Sequence, residues 1–276
     1  GDGRKLLLTR DVTALEQADA MRRDFVANVS HEIRTPLTVL TGFVETLQTL
    51  QLDAEERARY LAMMAQQAAR MQSVVQDLLT LSRLEGSPLP GMSEWTPVQA
   101  LMQRCEEESR ALSAVLTQNH QRHHVLQFPA AQDLRAAGDI AGVPSELQSA
   151  LSNLISNAVR YTPAGGTITV QWRYTADGNA IFSVSDTGPG IAPEHIPRIT
   201  ERFYRVDRSR SRETGGTGLG LAIVKHAVQR HGATLDITSA LGKGSVFSVT
   251  FPANRLRRPA LPDGLQPTAS AQTALP

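Results

Sequence analysis

A chain of 276 residues, 41% hydrophobic and 20% charged, with a net charge of +1, has the composition of a globular protein of roughly two domains. Lys and Arg are scattered rather than gathered into a stripe, which argues against nucleic acid as a partner, and no apolar run approaches the about 18 residues that span a bilayer. The single cysteine, Cys105, excludes an internal disulfide framework and a thiolate zinc cluster and reads as a packed core thiol.

The opening, "GDGRKLLLTRDVT", reads as the last strand of an upstream domain followed by a linker over residues 1–13. From residue 14 to 86 the pattern is helical, interrupted at "LQTLQLDAEE", where Asp53 is the expected N-cap of a second helix. In the first helix Phe25, Val29, Ile33, Leu37, Leu40, Val44 and Leu47 form one stripe at about 100° per residue. The second helix answers with Tyr60, Met64, Ala68, Met71, Val75 and Leu78. Two long helices with apolar stripes cannot bury them well as an isolated hairpin. A homodimeric four-helix bundle would do so.

The break "EGSPLPGMSEWTP" separates this hairpin from a second domain expected over residues 87–258. There, residues 97–116 read as a helix, "HHVLQFP" as a strand and "SELQSALSNLISNAVRYT" as an amphipathic helix. The runs "GTITVQWRYT" and "AIFSVSD" flank "ADGN" as a hairpin. A helix at "GLGLAIVKHAVQRHG" and a second hairpin, "ATLDITSALGKGSVFSVTF", complete an α/β sandwich with helices on one face of a mostly antiparallel sheet. Residues 259–276 have no periodicity and read as a disordered tail.

Within "VSHEIRTPL", His31 lies about 180° from the centre of the apolar stripe and faces solvent. Thr35 follows one turn later on the same face, and Glu32 flanks the stripe, able to approach the imidazole from the side. Pro36 removes an N–H and predicts a bend beside the histidine. A lone exposed helical histidine is more often an ordinary surface residue. The acid, the hydroxyl and the proline beside it favour chemistry.

In the second half, "SDTGPGI" places Asp186, Gly188 and Gly190 at a strand end where backbone can approach a flat ligand, although a plain turn would use the same residues. "GGTGLGLAIV" is more specific: Gly216, Gly218 and Gly220 lead into a helix whose free N–H groups can hold phosphate. Neither a Walker A loop nor a Rossmann fingerprint is present. The Arg-rich "RVDRSRSRETGG" between them suits a lid over a polyphosphate, or a solvated loop. Asn153 and Asn157, four apart on one helical face, offer neutral oxygens of the kind Mg²⁺ takes beside phosphates. The cluster of His120, His123 and His124 lacks carboxylate support and reads as a solvated turn and strand edge rather than a metal site.

Taken in order, "FVANVSHEIRTPL", "NLISNAVRYTP", "DTGPGI", "ERFYRVD" and "GGTGLGLAIV" resemble the H, N, G1, F and G2 boxes of two-component sensor histidine kinases. The wording of "TPLTVLTGFVETL" and of residues 191–228 is similar to the phosphate-responsive members in Gram-negative bacteria. The resemblance implies a helical-hairpin dimerisation and phosphotransfer domain, a four-helix bundle as the dimer, joined to an α/β sandwich ATP-binding domain of the Bergerat (GHKL) type. It implies that His31 attacks the γ-phosphate of ATP, that Glu32 accepts the other ring proton, and that Thr35 serves removal of phosphate from the partner. Asn157 would coordinate Mg²⁺ and Asn153 help to place it. Asp186 would accept from the adenine amino group, Arg160 and Tyr161 would line the nucleotide pocket, and Gly188, Gly190, Gly216, Gly218 and Gly220 would shape pocket and lid. Phe203 would pack where lid meets domain. Also implied are a response-regulator receiver domain as partner, a cytoplasmic location for this region, and attachment to the bacterial inner membrane only through segments absent from this chain. A nucleotide sensor without transfer is disfavoured by the intact His31, Glu32, Asn157 and Asp186, and a chaperone-type ATPase by the exposed histidine.

Overall fold

The structure, a computed structural model, describes residues 13–206 and 216–258. The expected upstream strand, most of the Arg-rich lid and the expected tail lie outside the described residues. The chain divides into two compact units: one holds the helices up to Thr80 together with Glu201–Leu219, the other Leu81–Thr200 and the residues from Gly220 onward.

In the first unit, α1 (Thr13–Thr49) runs through Pro36 and α2 starts at Ala54, ending at Gly86. A reciprocal capping box starts α2: the Glu56 N–H donates to Asp53 Oδ1 at 2.7 Å, and the Asp53 N–H donates to Glu56 Oε2 at 3.2 Å. The covered face of the hairpin matches the expected stripes in part. On α1 Phe25, Val29, Ile33, Leu40 and Leu47 of the stripe are covered, together with Glu32, Pro36, Val39, Phe43 and Thr46, and on α2 Tyr60, Met64, Met71 and Leu78 of the stripe are covered, together with Gln67, Arg70 and Val74. Val74 is 0% exposed while Val75 is 44% exposed, and Leu37 and Val44, placed in the expected stripe, are exposed at 51% and 38%. The drawn stripes, which already mix steps of three and four, run about one residue beside the line that faces the other helix at Pro36, Phe43 and Val74, so Leu37, Val44 and Val75 stay exposed. Phe43 and Tyr60 meet across the seam edge to face, with ring centroids 5.5 Å apart.

The second unit is a five-stranded sheet in the order β2-β4-β5-β7-β6, formed by β2 (Val125–Gln127), β4 (Thr167–Tyr174), β5 (Ala180–Asp186), β6 (Thr234–Ala240) and β7 (Gly244–Phe251). Only the β2–β4 pair is parallel. The helices α3 (Val98–Thr117), α5 (Pro144–Tyr161) and α6 (Gly220–Arg230) supply the other layer, and α4 (Ala131–Ala136) is a short connection. Along β5 the strict alternation of burial puts Ala180, Phe182, Val184 and Asp186 in one covered row. Opposite them, Leu151, Leu154, Ile155 and Val159 of α5 and Ile223, Val224 and Val228 of α6 are buried.

A second, three-stranded sheet was not anticipated: β3 (Asp139–Ala141) pairs with β1 (Trp95–Pro97) on one side and with β8 (Leu256–Arg257) on the other. Of the triplet His120, His123 and His124, the first two are exposed, as a turn and strand edge predict, but the side chains of His123 and His124 are held by hydrogen bonds. His123 Nδ1 lies 2.8 Å from Thr117 Oγ1, and His124 bridges Ser113 Oγ at 3.0 Å and the Thr162 carbonyl at 2.9 Å.

Candidate functional site

In the helical unit His31 is exposed, as its position on α1 predicts, and its imidazole makes no hydrogen bond or ion pair among the described residues. Glu32 departs from expectation. Its Oε2 accepts from Arg70 Nη2 of α2 at 2.9 Å, with the two side chains 27% and 16% exposed, and it makes no contact of this kind with His31. The cause is the seam register: residue 32 lies on the covered line beside α2, a helical step of about 100° from residue 31. The Thr35 hydroxyl donates to the His31 carbonyl at 3.1 Å, one of six such bonds along α1, in which Ser30, Thr38, Thr41, Thr46 and Thr49 also bond back four residues.

The same unit contains Phe203, whose ring centroid lies 5.9 Å from that of Phe25 on α1. Its backbone is at φ 61, rare for an aromatic residue, and is held there by a 2.8 Å bond from the Phe203 N–H to the Gly218 carbonyl. A Cβ on Gly218 would come within 3.0 Å of the Phe203 Cα. Gly216 is half-buried in the same segment. Thr217 donates to Asp77 Oδ2 on α2 at 2.6 Å while its oxygen accepts the Leu219 N–H at 3.1 Å.

In the α/β unit, α5 brings Asn153, Asn157 and Arg160 to one side, with Tyr161, 41% exposed, at its end. The Asn153 amide donates to the Ser149 carbonyl at 2.8 Å, which turns its oxygen toward the start of α6, where a Cβ on Gly220 would sit 2.5 Å from it. Asn157 is half-buried, and its side chain has no hydrogen-bond partner among the described residues. Asp186 ends the covered row of β5 and is 8% exposed. Burial pushes its carboxyl above the usual carboxylate range, opposed by the N–H groups of Gly188 and Ser245, the former at 2.8 Å from Oδ1. Gly190 has φ 71, and a Cβ there would collide with the Ala240 carbonyl, so only glycine lets this turn pass under the β6–β7 connection.

Two arginines and a histidine escaped the sequence reading. Arg230, at the end of α6, donates to both oxygens of Glu146 at 2.9 and 3.0 Å and to the carbonyls of Leu84, Ser87 and Pro88 at 2.7 to 2.8 Å. Arg255, 8% exposed, donates to the carbonyls of Pro90, Gly91 and Ala141. His231, fully buried, accepts the Val143 N–H on Nε2 at 3.2 Å and faces the Ala227 carbonyl through Nδ1 at 2.7 Å, the pattern of a neutral ring with its proton on Nδ1. Burial holds it below the ordinary histidine range. No local periodicity announces these contacts, because apart from the Ala227 carbonyl, four residues from His231, their partners lie 84 to 165 residues away. Cys105 is buried, as expected, and its thiol is pushed up to about 11.

An exposed histidine on a helical hairpin and a glycine-rich α/β sandwich with a buried acid define a phosphotransfer class, and the comparisons agree. Residues 21–87 match the His Kinase A (phospho-acceptor) domain, and residues 142–255 match the histidine kinase-, DNA gyrase B- and HSP90-like ATPase family. The chain belongs to the sensor histidine kinases. More particularly, it is similar to the phosphate regulon sensor protein PhoR of Pseudomonas aeruginosa, with 49% identity over 252 residues, 91% of this chain and 54% of that protein. PhoR of Haemophilus influenzae is 36% identical over 247 residues, 90% of this chain and 55% of its own length. The chain thus spans about half the length of these relatives. Among solved structures, full-length ShkA in complex with AMPPNP is 29% identical with a TM-score of 0.55, covering 83% of this chain and 45% of that one. The histidine kinase ThkA in complex with its response regulator TrrA shares the fold, with a TM-score of 0.59 at 20% identity, covering 89% of this chain and 67% of that one. Among the described residues no helix is long and apolar enough to cross a membrane.

Proposed function

We propose that this chain is the catalytic region of a phosphate-responsive sensor kinase that phosphorylates His31 with MgATP and passes the phosphoryl group to an aspartate of a response regulator. The observation that carries the reading is the pairing, on one chain, of a solvent-facing His31 with a separate nucleotide-type site built on Asp186 and Asn157. Asp186 offers a buried acceptor suited to the adenine amino group, and the turn at Gly188 and Gly190 lets the base lie against backbone. Arg160 and Tyr161 line the pocket, while Gly216 and Gly218 belong to the lid and Gly220 opens α6 toward phosphate. The unpartnered Asn157 amide and the turned oxygen of Asn153 fit Mg²⁺, which when bound neutralises charge on the phosphates.

One ring nitrogen of His31 attacks phosphorus, the bond to the bridging oxygen breaks with its electron pair leaving on ADP, and Glu32 takes the proton from the other nitrogen. The exposed Leu37, Val44, Leu61, Val75 and Leu79 supply apolar surface for a second copy, supporting a homodimer. In the whole protein, this region faces the cytoplasm from the bacterial inner membrane, as the family resemblance implies. Incubation with ATP radiolabelled at the γ-phosphate should leave acid-labile, base-stable label on the chain, absent from His31→Gln, which still binds nucleotide. Equal labelling of the variant removes His31 as the acceptor, and release of free phosphate without label shows an ATPase instead.

A further inference from the structure

Glu32 is held by an arginine whose geometry is that of a temporary partner. Arg70 of α2 reaches it through one nitrogen, Nη2 to Oε2 at 2.9 Å, and the Arg70 Nε hydrogen is buried with no acceptor among the described residues. Arg230 shows what a permanent clamp looks like in this protein, since every N–H of its guanidinium finds an oxygen. Both Glu32 and Arg70 lie along a largely apolar seam with Pro36, Val39, Phe43, Met64, Met71 and Val74, which also holds the polar Thr46 and Gln67, and an apolar pair would pack there without desolvating charge. A charged pair that is neither fully satisfied nor the best packing choice is explained by where it puts the carboxylate: toward α2, leaving the neighbouring His31 ring without a partner.

We propose that Arg70 is a positioning residue that withholds Glu32 from His31 in the resting hairpin, and that phosphorylation of His31 requires the carboxylate to leave Arg70. This rests on the role given to Glu32 above. When Glu32 swings to the imidazole it accepts the ring proton as the opposite nitrogen bonds to phosphorus. While it stays on Arg70 the imidazole must lose that proton to water. A ligand, partner or helix movement that separates Arg70 from Glu32 then raises the kinase rate with no new contact to ATP.

The test uses the full chain and four variants: Arg70→Met, Arg70→Gln, Arg70→Lys and Glu32→Gln, with Arg70→Met also combined with Glu32→Gln. Initial phosphohistidine formation is measured at saturating MgATP, with KM for ATP alongside. Breaking a partly exposed pair should raise the rate by about fivefold in Arg70→Met and Arg70→Gln, with KM unchanged. Arg70→Lys, which keeps the charge, should stay near the parent. The combined variant should match Glu32→Gln alone, and the ¹⁵N resonances of the His31 ring should move in Arg70→Met but not in the combined variant. Arg70→Met and Arg70→Gln at or below the parent rate, beside an impaired Glu32→Gln, would overturn the role of Arg70 and leave that of Glu32 standing. So would a gain that survives in the combined variant. A Glu32→Gln chain that labels as fast as the parent sinks both.

Discussion

Arg230 meets the Glu146 carboxylate side by side, Nε 2.9 Å from one oxygen and Nη2 3.0 Å from the other, with the two side chains only 9% and 13% exposed. The remaining donors take the carbonyls of Leu84, Ser87 and Pro88. The end of α2 and the residues that follow it are therefore fastened to α6 through their backbone, whatever their side chains. Arg230→Ala leaves Glu146 buried without its charge partner, a loss of about 3 to 5 kcal/mol. A urea unfolding curve should show the lower midpoint, and protease should cut residues 84–91 faster. Arg230→Lys, a point charge without the fork, should recover only part of the loss. An unchanged midpoint in Arg230→Ala would show that the fork is not a clamp.

Asp186 carries a conflict between stability and binding. Its folded pKa is raised by burial, so its stabilising contribution is complete below the unfolded value near 3.8 and is lost as pH rises through the folded value. At neutral pH the ionised acid therefore burdens the ligand-free fold. Asp186→Asn should raise the thermal midpoint of the ligand-free chain at pH 7 while weakening ATP-analogue binding by about 1.5 to 3 kcal/mol, the size of a charge-assisted hydrogen bond. Calorimetry and thermal melts read the two effects separately. Unchanged affinity would remove Asp186 from the adenine site.

Much of this architecture was legible because its signals are local. The capping box at Asp53, the alternation of β4 and β5 and the apolar face of α5 each occupy one stretch of chain, and the helices and strands appear where those patterns place them. The three-stranded sheet was not legible, since strands of two or three residues carry no periodicity and β3 finds its partners across more than 40 residues on one side and more than 110 on the other. The Glu32–Arg70 pair escaped for a related reason. The α1 stripe was drawn through Ile33 and Leu37, whereas Glu32 and Pro36, one residue earlier, share the covered face and Leu37 is exposed. Of the candidate site, the residue types and their order were readable, but the partner of Glu32 depended on α2.

His231 makes the fold sensitive to acid. Its folded pKa is lowered, by burial first, so the unfolded chain takes a proton near pH 6.5 while the folded ring stays neutral. The unfolded state thus binds more protons below that point, and stability falls as pH drops from about 6.5 toward the folded value. Urea midpoints measured from pH 7.5 to 5 should decline across this window. His231→Gln should be less stable at pH 7, having lost the pair of bonds to Val143 and Ala227, yet show a flatter decline. Gly142 shares the site, since a Cβ there would run into the imidazole, so Gly142→Ala should destabilise without altering the acid slope. Equal slopes in parent and His231→Gln would place the acid sensitivity elsewhere.

Thr35 separates two uses of one hydroxyl. Its hydrogen is engaged with the His31 carbonyl at 3.1 Å, as five other hydroxyls on α1 are engaged with their own turns, so this bond alone marks nothing special. Its position is different. Thr35 is exposed one turn beyond the exposed His31, and the lone pairs of its oxygen remain open to a water that a docked receiver domain brings to its phospho-aspartate. Thr35→Ala should therefore form phosphohistidine and transfer it at the parent rate, yet remove phosphate from the regulator about a hundredfold more slowly in the presence of ADP, the lower end of what a positioned catalytic group contributes. Thr35→Ser, which keeps the oxygen and drops the methyl, should recover most of that rate. If Thr35→Ala dephosphorylates the regulator as fast as the parent, or loses phosphorylation and dephosphorylation together, the hydroxyl serves only its own helix and the phosphatase role falls to another residue.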